Sequence, residues 1–559
     1  MEEAIVPGGL ADRERCDVLV GGDQQCDVLV VGGGAAGLMA ALVARTAGAH
    51  VILLEKAAKL GGTAAVSGGV VWAPGNDHVP GGDRREDALA YFNALDHGDL
   101  RSETLQAFVD HAANALRFLE AHSAIRFARL EGYPDYFGDR PGALSGGGRA
   151  LDSGLFAFSD LGEWRGRVAT GDVYPLTLGE TPLGGGSGIL APDVLHDRIA
   201  RDVRGFGQAL VGGLLDACLK AGVDIRLDHG VRKIERDGRR TTGVIASTPV
   251  GDIAVAAAKG VIIATGGFEW NSALRQAFLR GPIAYPASPP TNQGDGLKLL
   301  MTSGAALGNM TNAWWCPTIV TGQTWDDGSP RSQPVLIERT LPGSIIVNAA
   351  GRRFCNEAVN YSAIAGAFHA FDPNSYAYPN QPAWLIFDDA YRQRWPIAGA
   401  MPGGDTPEWM TSAPSLALLA EALAIPAVAL HATVERFNAD AKCGVDRDFG
   451  RGEAGYDRFY GDRSRPGALA TLGPLTEAPY YAVPLYLGVL GTNGGAMTDG
   501  HGRVLDHDGA VIAGLFGAGN VIACPTGGIY AGAGGTLGPA LTFAYLAARA
   551  ATGANDQGE

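Results

Sequence analysis

What this chain of 559 residues lacks narrows its identity first. It has only seven cysteines, at positions 16, 26, 218, 316, 355, 443 and 524, an odd and scattered set with no C-x-x-C pair. That argues against a disulfide scaffold or a structural zinc, so no metal site is expected, and it suits a reducing cytoplasm. Positive charge is short: 44 Lys and Arg stand against 59 Asp and Glu, a net charge of −15. Nucleic acid is not an expected partner, because phosphate binding needs a basic surface. No positively charged start leads into an apolar stretch, so no secretory signal is expected. Long hydrophobic runs are missing too. The longest apolar region, "SLALLAEALAIPAVAL", contains Glu421 and Pro426 and reads as an amphipathic helix rather than a membrane span. Peripheral membrane contact is left open.

What the chain has in excess is glycine, 82 residues, about twice the usual share. Without a collagen period, such an excess implies many places where backbone lies close to a ligand. The length is more than one compact core needs and implies two or more domains.

Near the N-terminus the chain repeats itself: "CDVLVGGDQQCDVLVVGGGAAG". The first copy, Cys16–Val20, runs into a polar turn with no apolar helical pattern behind it; residues 1–25 read as an N-terminal extension, with an extra edge strand as the alternative. The second copy, Cys26–Val30, leads into Gly32-Gly33-Gly34-Ala35-Ala36-Gly37 and then "LMAALVARTAGAHVILLEK". A G-x-G-x-x-G between a buried strand and a helix, with a second strand ending in Glu55, predicts a dinucleotide site. Gly32 permits the tight turn, and Gly34 lets amides approach a pyrophosphate. Gly37 brings the helix onto the sheet, with Ala35 and Ala36 in its first turn facing the phosphates. Glu55, followed by Lys56, is placed to accept a hydrogen bond from an adenosine ribose.

Further glycine-rich turns follow. Gly61-Gly62-Thr63 and Ser67-Gly68-Gly69 would bring main-chain amides against a second cofactor surface, and Ala264-Thr265-Gly266 turns the chain beside it. Residues 84–128 read as helices and 130–195 as an irregular insertion. From 312 to 483 the strand–helix–strand logic disappears, and this stretch reads as an inserted domain. The dinucleotide-type pattern resumes in "GLFGAGN", with Gly519 and Asn520, and ends in "GGIYAGAGGTLGPALTFAYLAARAA". There Gly535, Thr536 and Leu537 open a helix whose N-terminus suits a partly negative edge of a flavin. The fold expected is therefore α/β. It consists of a split Rossmann-like FAD-binding domain (26–311 and 484–559) interrupted by an α+β catalytic, or capping, domain (312–483).

This order of motifs resembles the fumarate reductase/succinate dehydrogenase flavoprotein superfamily, which implies FAD and, with one fingerprint only, no second dinucleotide domain. Within it, "GGTAAVSGGVVWAP", "YPDYFG", "NAWWCPT", "ERTLPGSIIVNAAGRRFCNEAVNY" and "IYAGAGGTLGPALTFAYLAA" resemble the 3-ketosteroid Δ1-dehydrogenases. The resemblance implies removal of two hydrogens from a 3-oxo steroid to form a carbon 1–carbon 2 double bond. It implies Tyr361 as the base at carbon 2 and Tyr136 as its supporting hydroxyl, with Tyr133 second for that place. Tyr530 hydroxyl and Gly534 N–H would polarise the ketone, flavin nitrogen 5 would accept the hydride, and a quinone-like external acceptor would reoxidise the cofactor. Trp314 and Trp315 read as core packing, His501 and His507 as solvated, and "DRDFGRGEAGYDR" as a surface segment. Cys524 shows no sign of a reactive thiolate. Other readings are a desaturase of another cyclic ketone such as a cyclohexanone, a 5α-steroid Δ4-dehydrogenase, an ene-reductase running in reverse, and a flavin-binding protein without catalysis.

Overall fold

The computed structural model describes residues 24–554; the first copy of the repeat, Cys16–Val20, lies outside the described residues. The second copy forms the strand Gln24–Val31, at the centre of an eight-stranded sheet. Its apolar run Val28–Val31 is buried, as expected of a parallel strand covered on both faces. It pairs in parallel with Val51–Leu54 on one side and Gly251–Ile263 on the other. Val511–Gly517 then adds to Gly251–Ile263, also in parallel. A strand from beyond residue 500 thus completes the sheet begun at residue 24.

Helix Ala35–Thr46 buries ten of its twelve residues. It sits between the sheet, the last helix Leu537–Thr552 and helix Phe206–Ala221. Alanine and glycine dominate its length, so neighbouring backbones come close on every side. Arg45 Nε reaches the Ala221 carbonyl at 2.8 Å and fastens the end of the first helix to that of Phe206–Ala221.

A second, six-stranded sheet is built from Ala313–Thr324, Pro330–Pro334, Ser344–Asn348, Ala383–Asp388, Thr411–Ala413 and Tyr480–Thr492. Its strands are antiparallel, and its spine is Tyr480–Thr492, which pairs with Ala313–Thr324 and Ala383–Asp388. That strand runs on past residue 483, where the sequence reading places the inserted domain's end.

Three expectations are corrected. "SLALLAEALAIPAVAL" is not one helix but two, Leu416–Ala422 and Ala427–Cys443, because Pro426 cannot continue the first and instead opens the second. The stretch "DIRLDHGVRKIERDG", which reads in the sequence as one strand, forms two, Asp224–Arg226 and Gly230–Asp237. The segment read as a surface one, "DRDFGRGEAGYDR", is so only in part: Arg447, Asp448 and Glu453 are exposed, whereas Asp446, Arg451 and Asp457 are buried. Arg353 forks onto both Glu357 and Asp446, and Arg451 reaches Glu357 at 3.2 Å, so the charges neutralise one another inside the fold. No described helix is long and apolar enough to cross a membrane.

Candidate active site

The turn after the first strand has the geometry a dinucleotide needs. Gly32 adopts φ +106°, and a side chain there would meet the Ala264 carbonyl oxygen at 2.5 Å. A side chain on Gly37 would strike the Gly32 carbonyl, so the first helix touches the turn directly. Gly34 caps that helix without a side-chain acceptor, which leaves the first-turn amides of Ala35, Ala36 and Gly37 free for an anion. Glu55 ends the second strand and is clamped through both oxygens, Oε2 by Gly33 N–H at 2.7 Å and Oε1 by Ala57 N–H at 2.9 Å. Burial pushes its carboxyl up and these amides hold it down. Each oxygen keeps a lone pair for a ribose hydroxyl. Lys56 turns away to an ion pair with Asp295.

The remaining cradle residues come from four further segments. Gly61 N–H bonds the Gly33 carbonyl at 2.8 Å and brings the Gly61-Gly62-Thr63 turn against the first one. Thr63 Oγ1 accepts from Asn292 at 2.7 Å. Ser67 folds onto its own loop, accepting from Gly69 N–H at 3.1 Å, so that amide serves the loop; Gly68 lies beside Leu178. Ala264 N–H bonds the Val31 carbonyl, and among the described residues the buried Thr265 hydroxyl has no partner. Gly266 lies against Asn292, and Gly519 against Ala36 of the first helix. Gly519, Asn520 and Thr536 share one small cleft with Trp314 and Asn493. Gly535 packs beside the Tyr530 ring, and the last helix opens at Leu537 with no side-chain cap. Two uncapped helix N-termini, a tight glycine turn and an acidic strand end fit FAD in its extended form.

Three tyrosines from distant segments meet beside this cradle. Tyr136, Tyr361 and Tyr530 are 4%, 5% and 7% exposed. The Tyr136 hydroxyl donates to the Tyr361 oxygen at 2.8 Å, and the rings of Tyr136 and Tyr530 stack 5.4 Å apart with 8° between their planes. Tyr361 stands edge-on to Tyr530 at 5.4 Å, as does Trp314 at 4.9 Å. Trp314 is therefore part of the site wall, whereas Trp315 packs in the second core against His369. Tyr133 shares a hydrogen bond with Tyr460, and its phenol also lies near that of Tyr136.

Backbone ties explain the convergence. Tyr136 N–H bonds the Ala531 carbonyl at 3.0 Å, and the Tyr91 hydroxyl donates to the same oxygen at 2.8 Å while accepting from Phe137 N–H. Tyr361 is positioned by Arg339, whose buried guanidinium holds the carbonyls of Val335, Glu357 and Val359. Gly534, at φ +89°, sits so close to the Val70–Trp72 backbone that a side chain would meet Trp72 N and the Val70 carbonyl oxygen at 2.5 Å. The need for glycine is thus set by this neighbouring strand. The Gly534 carbonyl accepts from Trp72 and Gly538, and among the described residues its N–H has no acceptor.

Burial pushes the phenols of Tyr361 and Tyr136 well above the ordinary tyrosine range, with the neighbouring rings adding to the effect. For Tyr530 burial also raises the pKa, while hydrogen bonding to Tyr361 and Thr536 lowers it. Cys524 is pushed up to about 11 by burial, an unreactive thiol as expected. Two residues not singled out in the sequence belong to the aromatic cluster: Tyr456, 4.8 Å from the Tyr136 ring, and Tyr460. Their spacing of four within "GYDRFY" puts them on one helical face, the signal that could have found them.

The fold and the cradle define a flavoprotein dehydrogenase, and the model of the FAD binding domain family matches residues 27–537. The chain is 40% identical to 4-oxocyclohexanecarboxylate 2-dehydrogenase of Sinomonas cyclohexanicum, over 94% of this chain and 93% of that protein. It is 37% identical to 3-oxosteroid 1-dehydrogenase of Mycobacterium tuberculosis, over 94% and 98% respectively. The crystal structure of 3-ketosteroid Δ1-dehydrogenase from Sterolibacterium denitrificans in complex with 1,4-androstadiene-3,17-dione superposes with a TM-score of 0.88 at 33% identity, covering 95% of this chain and all of that one. The chain belongs to the 3-ketosteroid Δ1-dehydrogenase family of FAD-dependent flavoproteins.

Proposed function

We propose that this enzyme introduces a carbon 1–carbon 2 double bond into a 3-oxo steroid, with Tyr361 as base and Tyr136 as its hydrogen-bond donor. Tyr530 hydroxyl and Gly534 N–H hold the ketone oxygen. The observation that carries the reading is the buried contact of Tyr136 with Tyr361 beside Tyr530, within a loop that presents an unpartnered Gly534 amide.

Loss of hydrogen from carbon 1 is difficult unless electron density builds on carbon 2, and that follows from removing a proton next to the ketone. The two donors stabilise the enolate oxygen as it forms, each worth about 3 kcal/mol in such a site. Tyr361 must be ionised to take the proton. Burial opposes ionisation, and the Tyr136 hydroxyl favours it by donating to the phenolate. The packed rings of Tyr136, Tyr456, Tyr530 and Trp314 exclude water and give a flat steroid an apolar wall. FAD, when bound, supplies the two-electron acceptor at the neighbouring carbon. Continued turnover then requires an external, quinone-like electron acceptor. In this reading residues 26–311 and those beyond Thr492 form the cofactor domain, and the cap runs from 312 to Thr492, the end of its central strand.

A second reading is favoured by the 40% identity to a dehydrogenase of 4-oxocyclohexanecarboxylate, higher than the 37% to the steroid enzyme. The substrate would then be a single-ring ketone bearing a carboxylate, and the proton abstraction would be the same. Anaerobic mixing of the purified yellow protein with androst-4-ene-3,17-dione and, separately, with 4-oxocyclohexanecarboxylate decides between them. Flavin bleaching with formation of a 1,4-diene supports the steroid. Bleaching by the small ketone alone overturns that choice.

A further inference from the structure

The proposed reaction leaves a proton on Tyr361 at every turnover, and Tyr361 is 5% exposed inside a packed aromatic cluster. A base that is never emptied works once. The proton needs a way out, and through a packed interior it travels along hydrogen-bonding groups.

The first step of such a route is the Tyr136 hydroxyl, which meets the Tyr361 oxygen at 2.8 Å. Beyond it lie two phenols that the reaction itself does not use. Tyr133 stands three residues before Tyr136 in "YPDY", and its phenol lies near that of Tyr136. The Tyr133 hydroxyl shares a hydrogen bond with that of Tyr460, and either oxygen can donate. The Tyr133 ring is edge-on to Tyr460 at 5.8 Å and packs on Phe459 at 4.5 Å. The guanidinium of Arg463 covers Phe459, 3.9 Å from its ring, and Arg463 is exposed. Four phenols from three segments thus lead from the base toward the exposed end of residues 459–463.

Packing does not call for these hydroxyls, because two phenylalanines would fill the same space, and replacing both partners of a buried hydrogen bond by apolar groups is nearly neutral. A hydroxyl both donates and accepts and its hydrogen rotates, so the row can reverse its direction once Tyr361 is protonated. The other titratable groups facing the row are Tyr456, Tyr530 and the guanidinium groups of Arg339 and Arg463. Both cations favour loss of a proton from Tyr460.

We propose that Tyr133 and Tyr460 form the outer half of a proton exit, receiving the proton of Tyr361 by way of Tyr136 and releasing it to solvent beside Arg463. At each step one O–H bond breaks as the next forms. The proton ends on a water molecule, and no phenol is oxidised or reduced. The electron pair of the broken carbon–hydrogen bond stays on the carbon next to the ketone. Tyr133 and Tyr460 act through Tyr361 and are positioning residues. The inference rests on Tyr361 as the base and holds for either ketone.

The test uses Tyr133→Phe, Tyr460→Phe and the double variant as full-length, FAD-loaded proteins. Steady-state turnover at neutral pH should fall about tenfold in each single variant, as the ionised share of Tyr361 between turnovers drops. The loss should shrink as pH rises, and the solvent deuterium isotope effect on kcat should grow. Groups acting in series are not additive, so the double variant should be no slower than either single one. It should also keep the wild-type melting temperature, since both partners of the bond are gone. A wild-type pH profile and isotope effect in the double variant overturn the proposal, as does a loss confined to KM. Tyr361→Phe run alongside separates the two failures: if it still reduces its flavin at the wild-type rate the base is misassigned, and if it is inactive while the other profiles stay unmoved only the exit fails. Should the phenol variants not fold, Arg463→Gln at the exposed end decides. Its climb of rate with pH should move to higher pH, and an unmoved climb overturns the route.

Discussion

Tyr136 donates its phenolic hydrogen to the Tyr361 oxygen across 2.8 Å, though 225 positions separate them in the chain. A donor to a phenolate favours the charged form, while burial, the largest influence on Tyr361, disfavours it. The pKa of Tyr361 therefore lies above the ordinary value near 10, and the ionised fraction grows as pH rises towards it. The rate of flavin reduction should climb with pH through the neutral and alkaline range. Tyr136→Phe should shift that climb to higher pH and slow reduction by about tenfold at neutral pH, one pKa unit's worth. Rapid-mixing pH profiles check this; superimposable profiles for the two proteins would remove Tyr136 from its supporting role.

Tyr361→Phe removes the base altogether. Flavin reduction by substrate should fall by about 10²–10⁴-fold, while FAD stays bound and the visible spectrum stays that of the oxidised cofactor. Anaerobic stopped-flow reads both. Reduction at the wild-type rate would assign the proton to another group.

Tyr530→Phe deletes one donor to the ketone. Turnover should drop about a hundredfold, with a smaller change in substrate affinity, because the donor matters most when charge sits on the oxygen. Steady-state kcat and KM separate the two effects, and a loss confined to KM would count against the role.

Gly534→Ala tests backbone rather than side-chain chemistry. Its Cβ would press on Trp72 N and the Val70 carbonyl oxygen, from a backbone at φ +89°. The strain should amount to about 1–3 kcal/mol and displace the N–H from its place, lowering both the melting temperature and turnover. A variant as stable and active as wild type would show that the loop has room to spare.

The buried charges predict an acid limit to stability. Burial pushes Glu357 up, but Arg353 and Arg451 outweigh it and hold its carboxyl below the usual range. Its stabilising effect is therefore present above the unfolded value of about 4.3 and is lost as pH falls through the lower folded value. Glu357→Gln leaves Arg451 without its carboxylate and should cost about 3–5 kcal/mol at neutral pH. It should also flatten the dependence of melting temperature on pH in the acid range. Equal acid sensitivity of variant and wild type would contradict this.

The first strand, glycine turn and helix of the proposed cradle were legible in the sequence because they are local. A strand, a tight glycine turn and a helix with phosphate-facing amides are adjacent in the chain from Gln24 to Thr46, and periodicity and glycine spacing carry them. The tyrosine cluster was reached through resemblance, since nothing local to "NEAVNY" says that Tyr361 will meet Tyr136. The buried role of "DRDFGRGEAGYDR" was not legible: charged residues read as solvated unless partners are known, and Arg353 and Glu357 lie some ninety residues earlier. Pro426 breaks the stretch into two helices although the apolar pattern runs on across it.

The contact of Gly519 with Ala36 has a bearing on biosynthesis. In the proposed site the pigment's berth is walled by segments far apart in the chain, so a ribosome must make the later one before any yellow colour can form, and chains stopped short of Leu537 should accumulate colourless, however well their earlier portions fold.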